Sequence, residues 1–435
     1  MSTVAEVRLW GRTIGAVALE EDAQVASFEY DPAFARSGIE IAPLTMPLAP
    51  RVYSFPALAK ETFHGLPGLL ADSLPDRFGN ALINAWLATQ GRSPDSFNAV
   101  ERLCYTGRRG MGALEYLPAI GPRARQASRI RIDHLVALAS RILIQRNDLS
   151  GSLDDDGMED ALKDILRVGT SAGGARAKAV IAWNPSTNEV RSGQVPADSG
   201  FAHWLLKFDG VSGNRDKELD DPKGFGVIEY AYYRMARDAG ITMSQCRLLE
   251  ENGRSHFMTR RFDRSLGGEK IHMQSLGALA HFDFNLAGGY SYEQAQYVAR
   301  QLSLEMRTIE ELYRRMVFNI LARNQDDHVK NIAFLMDKTG RWSLAPAFDL
   351  TYSFQPTGRW TSTHQMTLNG KRDNFTLEDF RACAGSASMK RGRAETILKE
   401  VHQVVAHWPK YADEVGVSAD WRDKIARTHR LEGIL

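Results

Sequence analysis

Cysteine is scarce: Cys104, Cys246 and Cys383 are the three in a chain of 435 residues. So few thiols, so far apart, build neither a disulfide framework nor a thiolate metal site. Net charge is nearly absent too. The 54 Lys+Arg oppose 53 Asp+Glu, leaving +1, so no bulk basic field draws the chain to nucleic acid or anionic lipid. Long apolar runs are also missing. The longest, such as 135–144, fall well short of the roughly 20 residues of a membrane helix, and no membrane association is expected. The opening MSTVAEVRLWGRT meets charge within a few residues, so no signal peptide is expected. No internal repeat or low-complexity tract stands out. What is there, 43% hydrophobic and 25% charged residues, is the balance of an ordinary folded protein, expected in a reducing cytoplasm and divided by length into about three compact units.

The pattern along the chain is α+β. VRLWGRTIGAVAL reads as two strands about a Gly-Arg turn, FEYDPAF as a third strand entering a loop, and LADSLPDRFGNALINAWLATQG as a helix stopped at Gly91. GRRGMGALEYLP reads as a Gly-rich hairpin. The basic run 121–132 reads as a linker, and the acidic run 148–160 as an exposed loop or helix start. KAVIAW and EVRSG make a hairpin, HWLLKF a further strand, GVIEYAYYRMARDAG a helix, and HFMTRRF a strand again. Helices dominate from 270 onward, interrupted once by the strand pair NIAFLM and RWSL. These shifts divide the chain into units 1–125, 126–265 and 266–435: a small α+β unit, a strand-rich lobe and a helical lobe.

The most informative stretch is 323–350. A helix with a capping box at Thr308–Glu311 and an apolar face of Leu312, Met316, Val317, Ile320 and Leu321 should end near Arg323 and deliver a fixed loop. In that loop Asp326, His328 and Asn331 form Asp-x-His-x-x-Asn, the spacing of a kinase catalytic loop, and Asp349 follows in Phe348-Asp349-Leu350 where a kinase places a metal-binding aspartate. Phosphoryl transfer from ATP needs these types: one carboxylate to accept the hydroxyl proton, and an amide oxygen with a second carboxylate to hold Mg²⁺. Asp326 is the candidate base, Asn331 and Asp349 the candidate metal ligands. His328 joins the catalytic set, with a hydrogen-bonding role in the loop favoured over proton transfer, and Lys330 joins the nucleotide-binding set.

A second stretch, Gly169-Thr170-Ser171-Ala172-Gly173-Gly174, allows close backbone approach to an anion. It lacks the Lys-Ser/Thr of a P-loop, so a phosphate-covering strand–loop–strand and a plain hairpin turn remain its two readings. Lys207 in HWLLKF and Glu229 in the following helix match a strand lysine paired to a helix glutamate. MTRRFDR at 258–264 falls where a kinase hinge joins the lobes, with Arg260 at the nucleotide and Phe262 as an apolar wall.

Together these residues resemble the HipA-type serine/threonine kinase toxins of bacterial toxin–antitoxin modules. The resemblance is carried by LADSLPDRFGN, GRRGMGAL, GTSAGGARAKA, HWLLKF, EYAYYRMARDAGI, RRFDR, DDHVKN and FDL. It implies a two-lobed core like those of protein and phosphoinositide kinases behind a small N-terminal subdomain, Mg-ATP as cofactor, and a HipB-like helix-turn-helix antitoxin that supplies contact with DNA. The implied substrate is a protein of the translation machinery, such as an aminoacyl-tRNA synthetase. By position, Ser171 resembles the family's autophosphorylated serine, with Thr170 beside it, and Lys178 a lysine that closes the loop. Asp327 stands where some members have glycine and is expected to add a charge beside the base. A small-molecule kinase and a non-catalytic corepressor with a DNA-binding partner are the other two readings.

Overall fold

The computed structural model describes residues 2–121, 130–144, 165, 176–193, 200–211, 223–265 and 267–434. The linker 121–132 and the whole acidic run 148–160 lie mostly or entirely outside them. Among the described residues no helix is long and apolar enough to cross a membrane.

The N-terminal unit is built on a five-stranded antiparallel sheet of order β4-β3-β2-β1-β5: β1 (Thr3–Leu9), β2 (Arg12–Leu19), β3 (Ser27–Tyr30), β4 (Val52–Tyr53) and β5 (Leu114–Leu117). β1 alternates as a half-buried strand should, with Ala5, Val7 and Leu9 inward. The Gly-rich stretch before β5 is not a hairpin. Only Leu114–Leu117 is extended, and it pairs with β1, because Gly110 and Gly112 are engaged elsewhere. The Gly112 N–H donates to Asp263 Oδ2 at 2.7 Å, and Gly112 (φ +71) sits where a Cβ would come within 3.0 Å of the Met273 amide nitrogen.

A second five-stranded antiparallel sheet has the order β7-β6-β8-β10-β9: β6 (Lys178–Asn184), β7 (Glu189–Ser192), β8 (Ala202–Lys207), β9 (Cys246–Glu251) and β10 (Arg254–Arg260). β6 is buried along nearly its whole length and therefore lacks alternation. Helices Arg77–Thr89 and Ile132–Ile144 pack on this sheet through Phe78, Leu82, Leu135 and Ile142. Helix Phe225–Asp238 faces the other way. Its Ile228, Tyr232 and Met235 join the large core shared by the N-terminal sheet and the helical lobe.

In the helical lobe, Met306–Leu321 is the central helix. It starts before the capping box read at Thr308. Glu305 is the N-cap and Thr308 lies inside the first turn, with buried Ile309 and Leu312, not a side-chain cap, fixing the start. Helices do not hold the stretch after 270 alone. β11 (His272–Ser275) adds to β12 (Ala333–Met336) and β13 (Trp342–Leu344) in a three-stranded sheet of order β11-β12-β13.

Burial pushes His272 and His429 down from 6.5 to about 3, in His429 with a smaller contribution from Arg323. The unfolded chain takes up these protons below about pH 6.5 while the folded chain resists until about 3, so stability falls as pH drops through that window. Urea unfolding between about pH 7 and pH 5 should show a decline approaching 1.4 kcal/mol per pH unit for each histidine. In a His272→Gln variant that remains folded the slope should lessen.

Candidate functional site

The central helix ends at Ala322, and Arg323 turns the chain with a left-handed φ of +56. Its guanidinium holds the turn by donating to the Thr428 carbonyl at 2.6 Å and stacking 4.3 Å from the Phe354 ring. The following loop is closed on itself. Asn331 Nδ2 donates to the Asp326 carbonyl at 2.8 Å, and buried Val329 pins the short 3-10 turn Val329–Asn331. The Asp326 carboxylate, 49% exposed, is thereby presented to solvent, with His328 Nε2 at 3.8 Å.

Asp327 carries its charge into the interior rather than to the surface where Asp326 is presented. Its side chain turns inward and is completely buried, where it accepts from Tyr292 Oη at 2.5 Å and the Gln365 N–H at 2.7 Å and pairs with His364 Nδ1 at 2.8 Å. Burial alone would raise its pKa, but His364 and the hydrogen bonds outweigh that and hold it below the ordinary carboxylate value. Adjacent aspartates thus have opposite roles, one exposed and one anchoring the loop to the segment at 364–365.

The second half of the site is a chain of alternating charges. Glu229, 1% exposed, receives Lys207 Nζ on Oε1 at 2.5 Å and Arg176 Nη1 on Oε2 at 2.9 Å. Lys207 Nζ also donates to Asp349 Oδ1. Helix Phe225–Asp238 supplies Glu229, β8 supplies Lys207, and Arg176 lies 4.3 Å over the Phe225 ring. Burial would lower the Lys207 pKa, but Asp349 and Glu229 together raise it well above its ordinary value, so it stays an ammonium. Asp349 has a left-handed φ of +54 and keeps its carboxylate partly exposed.

Asp326, Asn331, Lys207, Glu229 and Asp349 are all placed by this framework. Phe262 packs against Phe348 with ring centroids 5.6 Å apart, next to Asp349. Arg260 closes β10, and its backbone is occupied: its N–H donates to Gln245 O at 2.8 Å and its carbonyl accepts from Ser244 Oγ at 2.6 Å. The rest of RRFDR is a clasp. Arg261 and Arg264 both bind buried Asp263 and reach the Gly110 carbonyl. Lys330 lies 4.7 Å over the Phe284 ring and 3.9 Å from Asp72 Oδ1. Lys178 is buried, its Nζ 3.3 Å from Asp76 Oδ2. Gly169, Thr170, Ser171, Ala172, Gly173 and Gly174 lie outside the described residues. Sequence reading missed Arg176 as a partner of Glu229 and Asp327 as an anchor. The signal for the first was a basic residue at the end of the Gly-rich run, and for the second nothing local distinguished two consecutive aspartates.

Among the described residues no group of three or more His, Cys, Asp or Glu could hold a metal ion. The pair Asn331 and Asp349 nonetheless fits Mg²⁺, which takes one or two protein oxygens and completes its shell with phosphate and water. With the Asn331 amide nitrogen bound to Asp326 O, the amide oxygen is left to coordinate.

The described residues form an α+β fold. The HipA-like C-terminal domain family matches residues 170–408 and the HipA N-terminal domain family residues 5–117. The chain belongs to the HipA family. The Shewanella oneidensis HipA in a structure with HipB and operator DNA is similar over 97% of this chain and 94% of its own, with a TM-score of 0.67 and 16% identity. A Haemophilus influenzae protein named "Putative kinase" is 27% identical over 134 residues, and a Sinorhizobium fredii protein named "Putative kinase Y4dM" is 24% identical over 172. These matches take in 28% and 36% of this chain and 39% of each relative.

Glu229 sets the energetics of the site. Glu229→Ala would leave Arg176 and Lys207 buried around an absent anion and should cost about 3–5 kcal/mol in chemical denaturation, whereas Arg176→Met should cost clearly less because Lys207 still neutralises the carboxylate.

Proposed function

We propose that this protein is a Mg-ATP-dependent kinase that transfers the γ-phosphate to a serine or threonine of a cellular protein, in the manner of a HipA toxin. Two observations support this reading: Lys207, Glu229 and Asp349 join in one ion chain, and a loop closes Asn331 onto Asp326. In this reading 126–265 is the nucleotide lobe, 266–435 the catalytic lobe and 1–125 an appended subdomain.

Each residue has a distinct task. Lys207, kept charged and fixed by Glu229, binds phosphate oxygens. Asp349 and the Asn331 oxygen would hold Mg²⁺, which when bound neutralises phosphate charge. Lys207 must then share or release Asp349. Asp326 orients the acceptor hydroxyl and takes its proton, and Asp327 keeps the loop in place beneath it. His328 braces the Asp326 carboxylate. The acceptor class, an aminoacyl-tRNA synthetase or another translation protein, is proposed from family membership. So are neutralisation by a HipB-like antitoxin that alone contacts DNA, and inactivating phosphorylation at Ser171 or Thr170, which would place roughly −2 charge beside the phosphate site.

Purified protein with labelled Mg-ATP should become labelled or should label a protein in lysate. Turnover that appears only with added metabolites would overturn the protein-kinase reading in favour of a small-molecule kinase, and no turnover at all would favour a corepressor. Asp326→Asn should lower kcat by about 10²–10⁴-fold with ATP affinity unchanged, measured by calorimetry. Full activity in that variant would remove Asp326 as the base.

A further inference from the structure

The run Asp72-Ser73-Leu74-Pro75-Asp76 lies between two short-range neighbours that belong to different cores. Before it, helix Gly68–Ala71 packs Leu69 and Leu70 into the core shared by the N-terminal sheet and the helical lobe. After it, helix Arg77–Thr89 packs Phe78, Leu82 and Ala85 beneath the sheet that carries Lys207. These five residues therefore cross from one core to the other.

An aspartate stands at each end. Asp72 accepts from the Ser275 N–H at 2.7 Å and from Ser275 Oγ at 2.8 Å, and its Oδ1 lies 3.9 Å from Lys330 Nζ. Ser275 caps helix Leu276–Ala280, and Lys330 is the neighbour of Asn331. Asp76 caps its own helix through the Gly79 N–H at 2.7 Å, and its second oxygen meets Lys178 Nζ at 3.3 Å, with the two side chains 6% and 2% exposed. Lys178 opens β6 directly after the Gly-rich run and pairs in register with Lys207. Like charges opposite one another in a sheet repel. Here Lys178 ends on Asp76 while Lys207 ends on Glu229.

We propose that 72–76 is a brace between the two lobes, with Asp72 and Asp76 as positioning residues: one end is fixed to Ser275 of the helical lobe, beside Lys330 of the loop, and the other to the strand that follows the Gly-rich run. Pro75 has a fixed φ and Leu74 before it is restricted, so the strap has little freedom to stretch. Rotation of one lobe against the other must open an ion pair, and opening the buried one leaves uncompensated charge. The subdomain sets the spacing at which Lys207 and Asp349 meet Asp326.

The test is a distance between lobes. All three native cysteines are buried, so spin labels at Ser186→Cys and Lys399→Cys, both exposed, report it selectively. The parent should give one narrow distance. Asp76→Asn keeps the helix cap but removes the charge, and should broaden and shift that distance and lower kcat roughly ten- to a hundredfold, as a displacement of order 1 Å does. Lys178→Gln should do the same, and the double variant should be no worse than the poorer single one. An unchanged distance in folded Asp76→Asn overturns the brace. Should that variant not fold, Asp72→Asn, which leaves the buried pair intact, carries the same expectation and the same refutation. Only the kcat arm rests on the kinase reading. A broadened distance in a protein without phosphotransfer removes that reading and supports the brace.

Discussion

One buried carboxylate organises the candidate site. Glu229 sits on a helix whose apolar face belongs to the large core, yet its side chain reaches into the cleft to hold Arg176 and Lys207. An isolated carboxylate in that position would be strongly disfavoured. Among the described residues, two cations on Glu229 and a further anion on Lys207 give a chain of two positive and two negative groups whose net charge is zero. Neutrality makes the burial tolerable. The Asp349 end of the chain is the more exposed one, while the Glu229 end stays enclosed.

The loop that carries Asp326 is held by a different kind of constraint. Its Asp326 side chain is half exposed, and an exposed loop residue gains little fixation from its own side chain. Rigidity comes from the neighbour instead. Asp327 carries three polar contacts into the interior, and Tyr292 extends the network by accepting from Asn319 Nδ2 of the central helix at 3.1 Å. Asn319 Oδ1 accepts from Asn324 Nδ2 at 2.9 Å, returning to the start of the loop. The loop is therefore fastened at its first residue, at Asp327 and through Asn331, with Asp326 between them. The bonds favour one geometry for the loop, although among the described residues Asn324 Oδ1 and His364 Nε2 are buried without a hydrogen-bond partner.

Local chemistry was legible in the sequence, and long-range partnership was not. Strand alternation exposed β1 and β2, helical spacing exposed helix Phe225–Asp238, and the Asp-x-His-x-x-Asn spacing exposed a loop closed on itself, because each signal lies within a few consecutive residues. β11 was hidden, since four residues that pair with a strand about 60 positions away (His272 with Met336) carry no pattern of their own. RRFDR reads as a hinge with Arg260 and Phe262 at a nucleotide. Its Arg261 and Arg264 serve Asp263 and the Gly110 carbonyl, a contact across about 150 residues (|i−j| = 151 for Arg261). Composition gives no hint of such a partner. The same limit applies to Asp326 and Asp327, identical in type and opposite in environment.

The clasp and the strap 72–76 together change the standing of the N-terminal unit. Buried Asp263 draws Arg261, Arg264 and the Gly112 N–H onto one carboxylate, which fixes the end of the sheet that carries Lys207 to residues 110–112. Burial would raise the pKa of Asp263, but the two guanidiniums more than offset that and hold it far below its ordinary value. The charge therefore persists, and with it the clasp, through the acid range in which exposed carboxylates protonate. The N-terminal unit is tied to Ser275 through Asp72, to β6 through Asp76 and to the end of β10 through Asp263, and it meets the rest of the chain at further places, Gly68 with His281 and Trp10 with Lys270 among them. Several such points fix orientation, not merely distance, so the N-terminal unit acts as part of the frame that holds the cleft rather than as an attachment beside it.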